Sequence, residues 1–406
     1  MASRPLHPLI PARDAAVADP SHARVLHGAR PASRQLGFYL HVPFCAKRCY
    51  YCSFNTAPLD DGGMRRYVSA VRRELALLGE LPWAGEVTIA SVFLGGGTPS
   101  LLDVSDLAAL LDELRARLSV APGAEITVEC NPESVDRDKL EGYRAAGVNR
   151  ISLGVQALDD AILPRLGRLH SAGQAHAAFD AARLAGHDNV SVDVMYGLPG
   201  LDVAGWSRAV QAVLDWQPDH LSAYGLTLDA GSLWGVTGVA GLPPEGAVVE
   251  QYWALARAAG ARGFEHYEIS NYARPGHRSR HNLTYWRAAE YLAAGPGACG
   301  FIGATRYGNT KPVARYCATL EAGTLPIDTC EGLTPRQRLA EQLILGLRTH
   351  DGIPRSLLEE RLAADRDLRH RITTWREAGL LADRGDAIAL TESGFLVSDT
   401  LFIELL

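Results

Sequence analysis

Short apolar runs alternate with longer helical stretches along residues 37–235, and this rhythm constrains the fold more than any other feature of the chain. The runs are rich in β-branched or aromatic residues, and the stretches between them are rich in alanine, leucine and arginine. Strand-then-helix repetition predicts parallel βα units. The six runs are GFYLHV (37–42), SVFLGGG (91–97), EITVECN (125–131), RISLGVQ (150–156), VSVDVMYG (190–197) and HLSAYGLTL (220–228). Six units predict an α/β fold with an open, partial (β/α)6 barrel rather than a closed eight-fold one.

Nearly every predicted strand ends on a polar residue or a glycine. The first run leads into a cysteine-rich loop, and the second ends in three glycines followed by Thr98. Glu129, Gln156 and Asp193 stand near the ends of the next three runs. The C-terminal ends of barrel strands carry the chemistry of this architecture. Helix capping would explain Glu129 or Asp193 alone equally well, but five consecutive polar strand ends predict a site at this edge.

Three cysteines, Cys45, Cys49 and Cys52, lie within eight residues directly after the first predicted strand. Structural zinc sites use four ligands, usually in two pairs, and this spacing does not match them. Closely spaced thiolates in one short loop are typical of iron–sulfur clusters. A 4Fe-4S cluster held by three thiolates leaves one iron open, and a small molecule can chelate it. The other four cysteines are scattered, so seven cysteines in 406 residues do not form a disulfide framework.

Composition narrows the classes of partner and compartment. The net charge is −6, which gives no general attraction to nucleic acid or to an anionic membrane. No apolar run reaches transmembrane length, so we expect no integral membrane segment. The first twenty residues lack the continuous hydrophobic region of a secretory signal. Because the cysteine cluster also favours a reducing compartment, we expect a cytoplasmic protein.

The chain divides into four predicted regions. Residues 1–36 are expected to be a disordered tail, and residues 37–235 the barrel. Residues 236–330 extend the barrel and contain the dense polar and aromatic motif HNLTYW. Residues 331–406 combine helical stretches with a hairpin across Gly385 and Asp386, which predicts a winged-helix-like α+β domain. This region holds 10 basic and 13 acidic residues, so a docking or lid role is favoured over DNA binding.

The pattern CxxxCxxC, followed at the second strand end by GGGTP, resembles the radical S-adenosylmethionine (SAM) superfamily. Further motifs narrow the resemblance to the HemN/HemW group over about residues 37–402. These motifs are FYLHVPFC, FLGGGTPS, ECNPE, SLGVQ, DVMYGLPG and YEISNYARPGHRSRHNLTYW. The resemblance implies a 4Fe-4S cluster on Cys45, Cys49 and Cys52, with SAM chelating the open iron. The radical chemistry then belongs to the cofactor, and the protein positions it.

The resemblance also implies which residues meet SAM. Tyr39 would pack near the cofactor, Gly96 would meet its methionyl part, and Glu129 would take the ammonium group. Gln156, Arg168 and Asp193 would hold the carboxylate and the ribose.

Enzymes of this group position a second SAM near the cluster and the glycine motif. The matching positions here are Tyr51, Gly97 and Thr98, although sharing them does not establish a second SAM.

Two features favour the heme-carrying branch of the group over its dehydrogenase branch. The dehydrogenases have a fourth cysteine two residues after the third, where this chain has Phe54. The HNxxYW motif at 281–286 is associated with heme binding in the carrier branch. By that resemblance His281 would ligate heme iron, with Tyr285 and Trp286 forming a flat wall. By spacing alone, a hydrogen-bonded structural histidine beside two core aromatics is the alternative.

The expected function is therefore a heme carrier that delivers heme to an acceptor hemoprotein, such as a respiratory one. We expect a monomer–dimer equilibrium, with a homodimer as one form. The main alternative is an oxygen-independent coproporphyrinogen III dehydrogenase that converts propionates to vinyl groups. A related heme-degrading methyltransferase is a further alternative that no motif specifically supports. Cys299 stands where relatives commonly have histidine; it is either a neutral change or a thiolate ligand for heme.

Overall fold

The computed structural model describes residues 20–363 and 366–405. The strands in this part are β1 (Gln35–Val42), β2 (Phe44–Cys45), β3 (Ala57–Pro58), β4 (Thr88–Gly96), β5 (Ser119–Cys130), β6 (Arg150–Gln156), β7 (Val190–Tyr196), β8 (His220–Gly225), β9 (Glu265–Glu268), β10 (Asn271–Ala273), β11 (Tyr291–Ala294), β12 (Cys299–Ile302), β13 (Thr305–Asn309), β14 (Ile327–Gly332), β15 (Ile353–Pro354), β16 (Leu381–Arg384) and β17 (Ala387–Leu390).

The α-helices of the same part surround and connect these strands. They are α1 (Pro20–Gly28), α2 (Asp61–Gly79), α3 (Val104–Arg117), α4 (Arg137–Ala145), α5 (Leu163–Leu166), α6 (Ala172–Leu184), α7 (Val203–Asp215), α8 (Leu233–Thr237), α9 (Glu245–Ala261), α10 (Arg280–Trp286), α11 (Val313–Glu321), α12 (Pro335–Leu347), α13 (Arg355–Ala363), α14 (Arg366–Glu377), α15 (Glu392–Leu396) and α16 (Ser398–Ile403).

The six predicted barrel strands are neighbours in one large sheet and are all parallel. The sheet order is β14-β13-β12-β11-β1-β4-β5-β6-β7-β8-β10-β9, so the sheet begins and ends on different strands and stays open. The register pairs Tyr39 with Phe93 and Asp193 with Ser222. Parallel strands point their C-terminal ends to one edge, so the polar strand ends gather at one mouth. The α/β fold with a partial barrel is confirmed.

Residues 236–330 are more regular than their glycine- and proline-rich sequence suggests. β11 adds a seventh parallel strand on the outer side of β1, and β12, β13 and β14 continue the sheet antiparallel. At the other edge β10 pairs antiparallel with β8. These strands are only three to six residues long, too short for a clear alternating pattern. The extension therefore lengthens the sheet at both edges.

The C-terminal residues build a smaller three-stranded sheet of order β15-β17-β16. β16 and β17 pair antiparallel around Gly385, which has a φ of 62°, so the predicted hairpin is confirmed. Ile372 and Trp375 of α14 pack with Ile388 in a separate apolar cluster. Helix α12 starts with a capping box between Thr334 and Gln337.

The predicted disordered tail needs correction over part of its length. Residues 1–19 lie outside the described residues. Residues 20–28 form helix α1, and Leu26 is fully buried in the main core. The indole of Trp83 donates a hydrogen bond of 2.8 Å to the Leu26 carbonyl oxygen. An apolar anchor with a satisfied backbone group explains why this segment docks on the barrel.

In the described residues, the helices include none with the length and apolar character needed to cross a bilayer.

Candidate functional site

The three cysteines of the 45–52 loop lie at the mouth of the barrel, beside the end of β4. The Thr98 hydroxyl donates to Cys45 Sγ at 3.6 Å, and Arg168 Nη1 donates to Cys49 Sγ at 3.7 Å. Burial raises the pKa of the Cys45 thiol to about 11 and also raises the pKa of Cys52. Donors of this kind stabilise thiolates, the form that binds metal.

The described residues contain no group of three or more His, Cys, Asp or Glu side chains arranged around one ion position. A four-iron cluster takes one thiolate per iron, whereas a structural zinc ion takes four ligands, and this loop supplies three cysteines.

The glycines at the end of β4 form a close-fitting wall of the mouth. Gly96 has a φ of 110°, and a Cβ there would lie 2.4 Å from the ring of His41. At Gly97 a Cβ would lie 2.7 Å from the backbone of Pro43. The Gly96 amide donates to Glu129 Oε2 at 3.1 Å. Side chains are excluded here, so backbone groups stay open to a bound molecule.

Two carboxyl groups face each other inside the mouth. Burial, followed by repulsion from Asp193, raises the pKa of Glu129 from its ordinary 4.5 to about 7. Burial also raises the pKa of Asp193, while hydroxyl groups that include Ser152, at 3.1 Å, counteract the rise. The described residues form no ion pair with either carboxylate, but the buried Arg150 lies close enough to lower the pKa of both. Arg150 offsets the effect of burial only in part, so the two acids still favour a cationic ligand.

Asn131 connects the cysteine loop to the neighbouring strands, and sequence reasoning gave it no role beyond its place at a strand end. Its Nδ2 donates to Thr98 Oγ1 at 3.2 Å, and its Oδ1 accepts from Arg168 Nη2 at 2.8 Å. Arg168 Nη2 also donates to the Gly154 carbonyl at 2.6 Å. The position of Asn131 directly after β5 is the sequence feature that could have identified it as a site residue.

Gln156, Tyr39 and Tyr51 complete the predicted set at the mouth. Gln156 ends β6 with a φ of 65°, a left-handed conformation that is costly for a non-glycine residue. The Tyr39 hydroxyl lies 3.0 Å from His41 Nδ1, and its ring stacks on Phe93. Tyr51 packs against Trp234 with ring centroids 6.4 Å apart. Twelve of the thirteen predicted site residues thus gather at the mouth or just below it.

His281 is the exception, because α10 closes the opposite end of the barrel. Its Nδ1 lies 3.0 Å from Ser91 Oγ and its Nε2 lies 2.8 Å from the Tyr285 hydroxyl, so both ring nitrogens have partners. The side chain is 1% exposed and stacks on Phe93 at 5.2 Å. Burial lowers its pKa to about 3. This is the arrangement of a structural histidine, and iron ligation would require the ring to leave at least one partner.

A buried carboxylate holds the turn to which the segment after the cysteine loop is bonded. Glu74 of α2 is 1% exposed and accepts hydrogen bonds from the Gly295 amide at 2.8 Å, from Asn309 Nδ2 at 2.6 Å and from the Tyr316 hydroxyl. Burial raises its pKa to about 7. The turn that begins at Gly295 in turn accepts a hydrogen bond from Asn55 Nδ2, at 2.9 Å from the Pro296 oxygen.

The two remaining sequence features also lie near this turn and loop. Phe54 is 63% exposed, directly after the cysteine loop. Cys299 is partly buried on β12, and burial raises the pKa of its thiol. Its Sγ lies 3.9 Å from the Gly297 oxygen.

Comparison with known proteins agrees with this geometry. Residues 39–212 match the radical SAM superfamily, and residues 333–397 match the HemN C-terminal domain. A protein named heme chaperone HemW from Mycobacterium tuberculosis is 38% identical over 94% of this chain and 97% of its own length. One of the same name from Bacillus subtilis is 32% identical over 90% of this chain and 97% of its own length.

The structure of coproporphyrinogen III oxidase (HemN) from Escherichia coli superimposes with a TM-score of 0.81. The match covers 93% of this chain and 92% of that one at 23% identity, which shows a shared fold. Together with the sequence relatives, it leads to one conclusion: the chain belongs to the HemN/HemW family of radical SAM proteins.

Proposed function

We propose that the chain holds a 4Fe-4S cluster on Cys45, Cys49 and Cys52, with the fourth iron open to SAM. The support is the placement of three thiols in one loop, with hydrogen-bond donors from Thr98 and Arg168 to two of them. When bound, the cluster and SAM supply one-electron radical chemistry. The chain's residues position the two groups and limit the access of water.

The mouth suits SAM, which carries an ammonium and a sulfonium group, because two carboxyl groups are buried there and the neighbouring Arg150 offsets their burial only in part. Glu129 would take the ammonium group, next to the Gly96 amide. The residues proposed to contact SAM are Tyr39, Gly96, Glu129, Gln156, Arg168 and Asp193, with Tyr51, Gly97 and Thr98 beside them.

The proposed function of the chain is to carry heme and to deliver it to an acceptor hemoprotein. Phe54 carries this choice over the dehydrogenase, because an exposed apolar ring occupies the position of the dehydrogenases' fourth cysteine. Relatives named heme chaperones that match nearly the whole chain support the same choice. A cytoplasmic location and a monomer–dimer equilibrium remain part of the proposal.

The test is an anaerobic heme titration of cluster-reconstituted protein, followed in the Soret region. Saturable binding near one heme per chain, together with transfer to an apo-hemoprotein, is expected. Absence of binding would contradict the carrier, and decarboxylation of coproporphyrinogen III by the same sample would favour the dehydrogenase.

Cys49→Ala tests the cluster independently of heme. Because Cys49 lies in a loop and not in the core, the fold should persist while the bound iron and the visible absorbance of the cluster are lost. Cys330→Ala, in which a partly buried cysteine outside the loop is replaced, is the matched control. An unchanged iron content in Cys49→Ala would refute the assignment.

A further inference from the structure

The placement of His281 leaves open where a flat apolar ligand would bind. The HNxxYW helix α10 closes the barrel floor, and its histidine has both nitrogens engaged. The arginines next to it are also occupied: Arg278 pairs with Glu265 and Asp351, and Arg280 donates to the Gly123 carbonyl. A different surface must be considered for heme.

Exposed apolar side chains concentrate around the opposite end, at the cluster mouth. Exposed apolar surface of this kind marks interaction sites more often than isolated exposure does. In residues 20–363 and 366–405, ten large hydrophobic side chains are exposed, and five of them belong to segments that border the mouth. This apolar rim consists of Phe54, Leu169, Tyr224, Leu233 and Val236.

Direct contacts join the rim's segments to the cysteine loop. The Trp234 amide of α8 donates to the Tyr50 carbonyl at 2.9 Å, and the two rings pack 6.4 Å apart. The Ser53 hydroxyl donates to Asp229 Oδ2 at 2.9 Å, so the residue before Phe54 is fixed to the loop that leads into α8. Trp234 points inward, and Leu233 and Val236 on the same short helix remain exposed.

The segment that carries Leu169 is held to the same loop. The Tyr50 amide donates to the Leu166 carbonyl at 3.0 Å, and a Cβ at Gly167 would lie 3.3 Å from the Cα of Cys49. Tyr224 stands at the C-terminal end of β8 and is 42% exposed. Four of the five side chains therefore lie on segments joined to the cysteine loop, and the fifth, Tyr224, lies at a strand end of the same sheet.

Two cations that form no ion pair within the described part of the chain, Lys47 and Arg48, lie at the edge of this rim. Lys47 Nζ sits 5.4 Å from the centre of the Tyr50 ring. Arg48 Nη2 donates to the carbonyls of Cys52 and Gly231, at 3.1 and 3.0 Å. Asp229, which accepts a hydrogen bond from the neutral Ser53 hydroxyl, is a carboxylate in the same region. A ligand with an apolar body and carboxylates at one edge is complementary to this surface.

We infer that the apolar rim of the mouth is the heme-docking surface, with the macrocycle against Phe54 and α8 and the propionates directed at Lys47 and Arg48. The inference rests on the proposed heme-carrying function and goes beyond it by naming the site. It places heme beside the cysteine loop, at the end of the barrel away from the HNxxYW helix.

The experiment compares anaerobic heme titrations of the full-length, cluster-reconstituted chain and its variants. Phe54→Ser/Val236→Ser should weaken binding about tenfold or more, because two apolar contacts are lost. Lys47→Glu should also weaken binding, with a reduced dependence on salt. Ile403→Ser, which removes a side chain 73% exposed on the C-terminal helix, is the matched control and should bind as the parent does.

The possible results distinguish the proposed docking surface from the proposed heme-carrying function. No heme binding by the parent chain would overturn both. Normal binding by the rim variants with loss of binding in His281→Ala would overturn the rim while the carrier function stands. Rim variants that change only the dimer population in sedimentation, with unchanged heme affinity, would identify a self-association surface and refute the inference.

Discussion

Replacing Glu74 by glutamine should flatten the dependence of stability on pH. Glu74 is buried among neutral donors, and burial raises its pKa from 4.5 to about 7. The folded state therefore binds this proton more tightly than the unfolded chain does. The contribution is fully present below about pH 4.5 and is lost as the pH rises through about 7, so stability falls over this interval.

The magnitude follows from the two pKa values. Ionising Glu74 in the folded state at pH 8 costs about 3 kcal/mol relative to the unfolded chain. Glutamine resembles the protonated acid in shape and cannot ionise. It should lose about 1 kcal/mol or more, because its amide nitrogen takes the place of the oxygen that accepts from Asn309 Nδ2. This loss does not vary with pH, so the difference between pH 5 and pH 8 isolates the ionisation.

Chemical denaturation at pH 5, 6, 7 and 8 measures this directly. The unfolding free energy of Glu74→Gln relative to the parent should rise by about 2.5 kcal/mol between pH 5 and pH 8, because part of the effect is already present at pH 5. Glu80→Gln, at the exposed end of the same helix, should show no such rise. A Glu74→Gln difference that stays constant across the series would refute the claim that Glu74 is a protonatable buried group.

The remaining predictions concern the mouth of the barrel and helix α10 at its opposite end. Gly96→Ala should destabilise the fold by about 2 kcal/mol or more, because the added Cβ collides with His41 and the backbone φ is 110°. It should also weaken SAM binding measured by calorimetry. An unchanged melting temperature and an unchanged affinity would contradict this prediction. Asn131→Ala should weaken SAM binding about tenfold, because Arg168 loses a partner, and an intact affinity would remove Asn131 from the site. His281→Ala should lower stability by about 3 kcal/mol through lost hydrogen bonds and packing, without loss of heme binding. A stable variant that no longer binds heme would show that His281 is a heme ligand and not a structural histidine.

The mouth was predictable because its residues follow a simple rule. Glu129, Gln156 and Asp193 stand at the ends of apolar runs, and parallel strands bring such ends together. Strand β11 was missed, because four residues, YLAA, carry too little pattern to identify a strand. α1 was missed because its anchor, Leu26, lies in a segment rich in proline and arginine.

The location of His281 depends on a long-range contact that no local pattern encodes. Glu125 of β5 accepts hydrogen bonds from the amides of Arg280 and His281, at 3.0 and 2.9 Å, and this fixes α10 beneath the barrel. Glu74 was also missed, although Tyr67, Val71 and Leu78 place it on the buried face of α2 at helical spacing. A charged residue on the apolar face of a helix is the sequence feature that could have identified Glu74 as a buried carboxylate.

The hydrogen bonds of the Asn55 side chain can form only late in synthesis of the chain. Its side chain bonds to the carbonyls of Pro296 and Lys311, which follow it by 241 and 256 residues. The ribosome adds roughly 5–20 residues per second, so the cysteine loop waits on the order of 10–50 s for these partners. Until then the three cysteines have been synthesised, but the segment that follows them lacks these hydrogen-bond partners. Iron would therefore be captured in its final geometry only after most of the chain has been made.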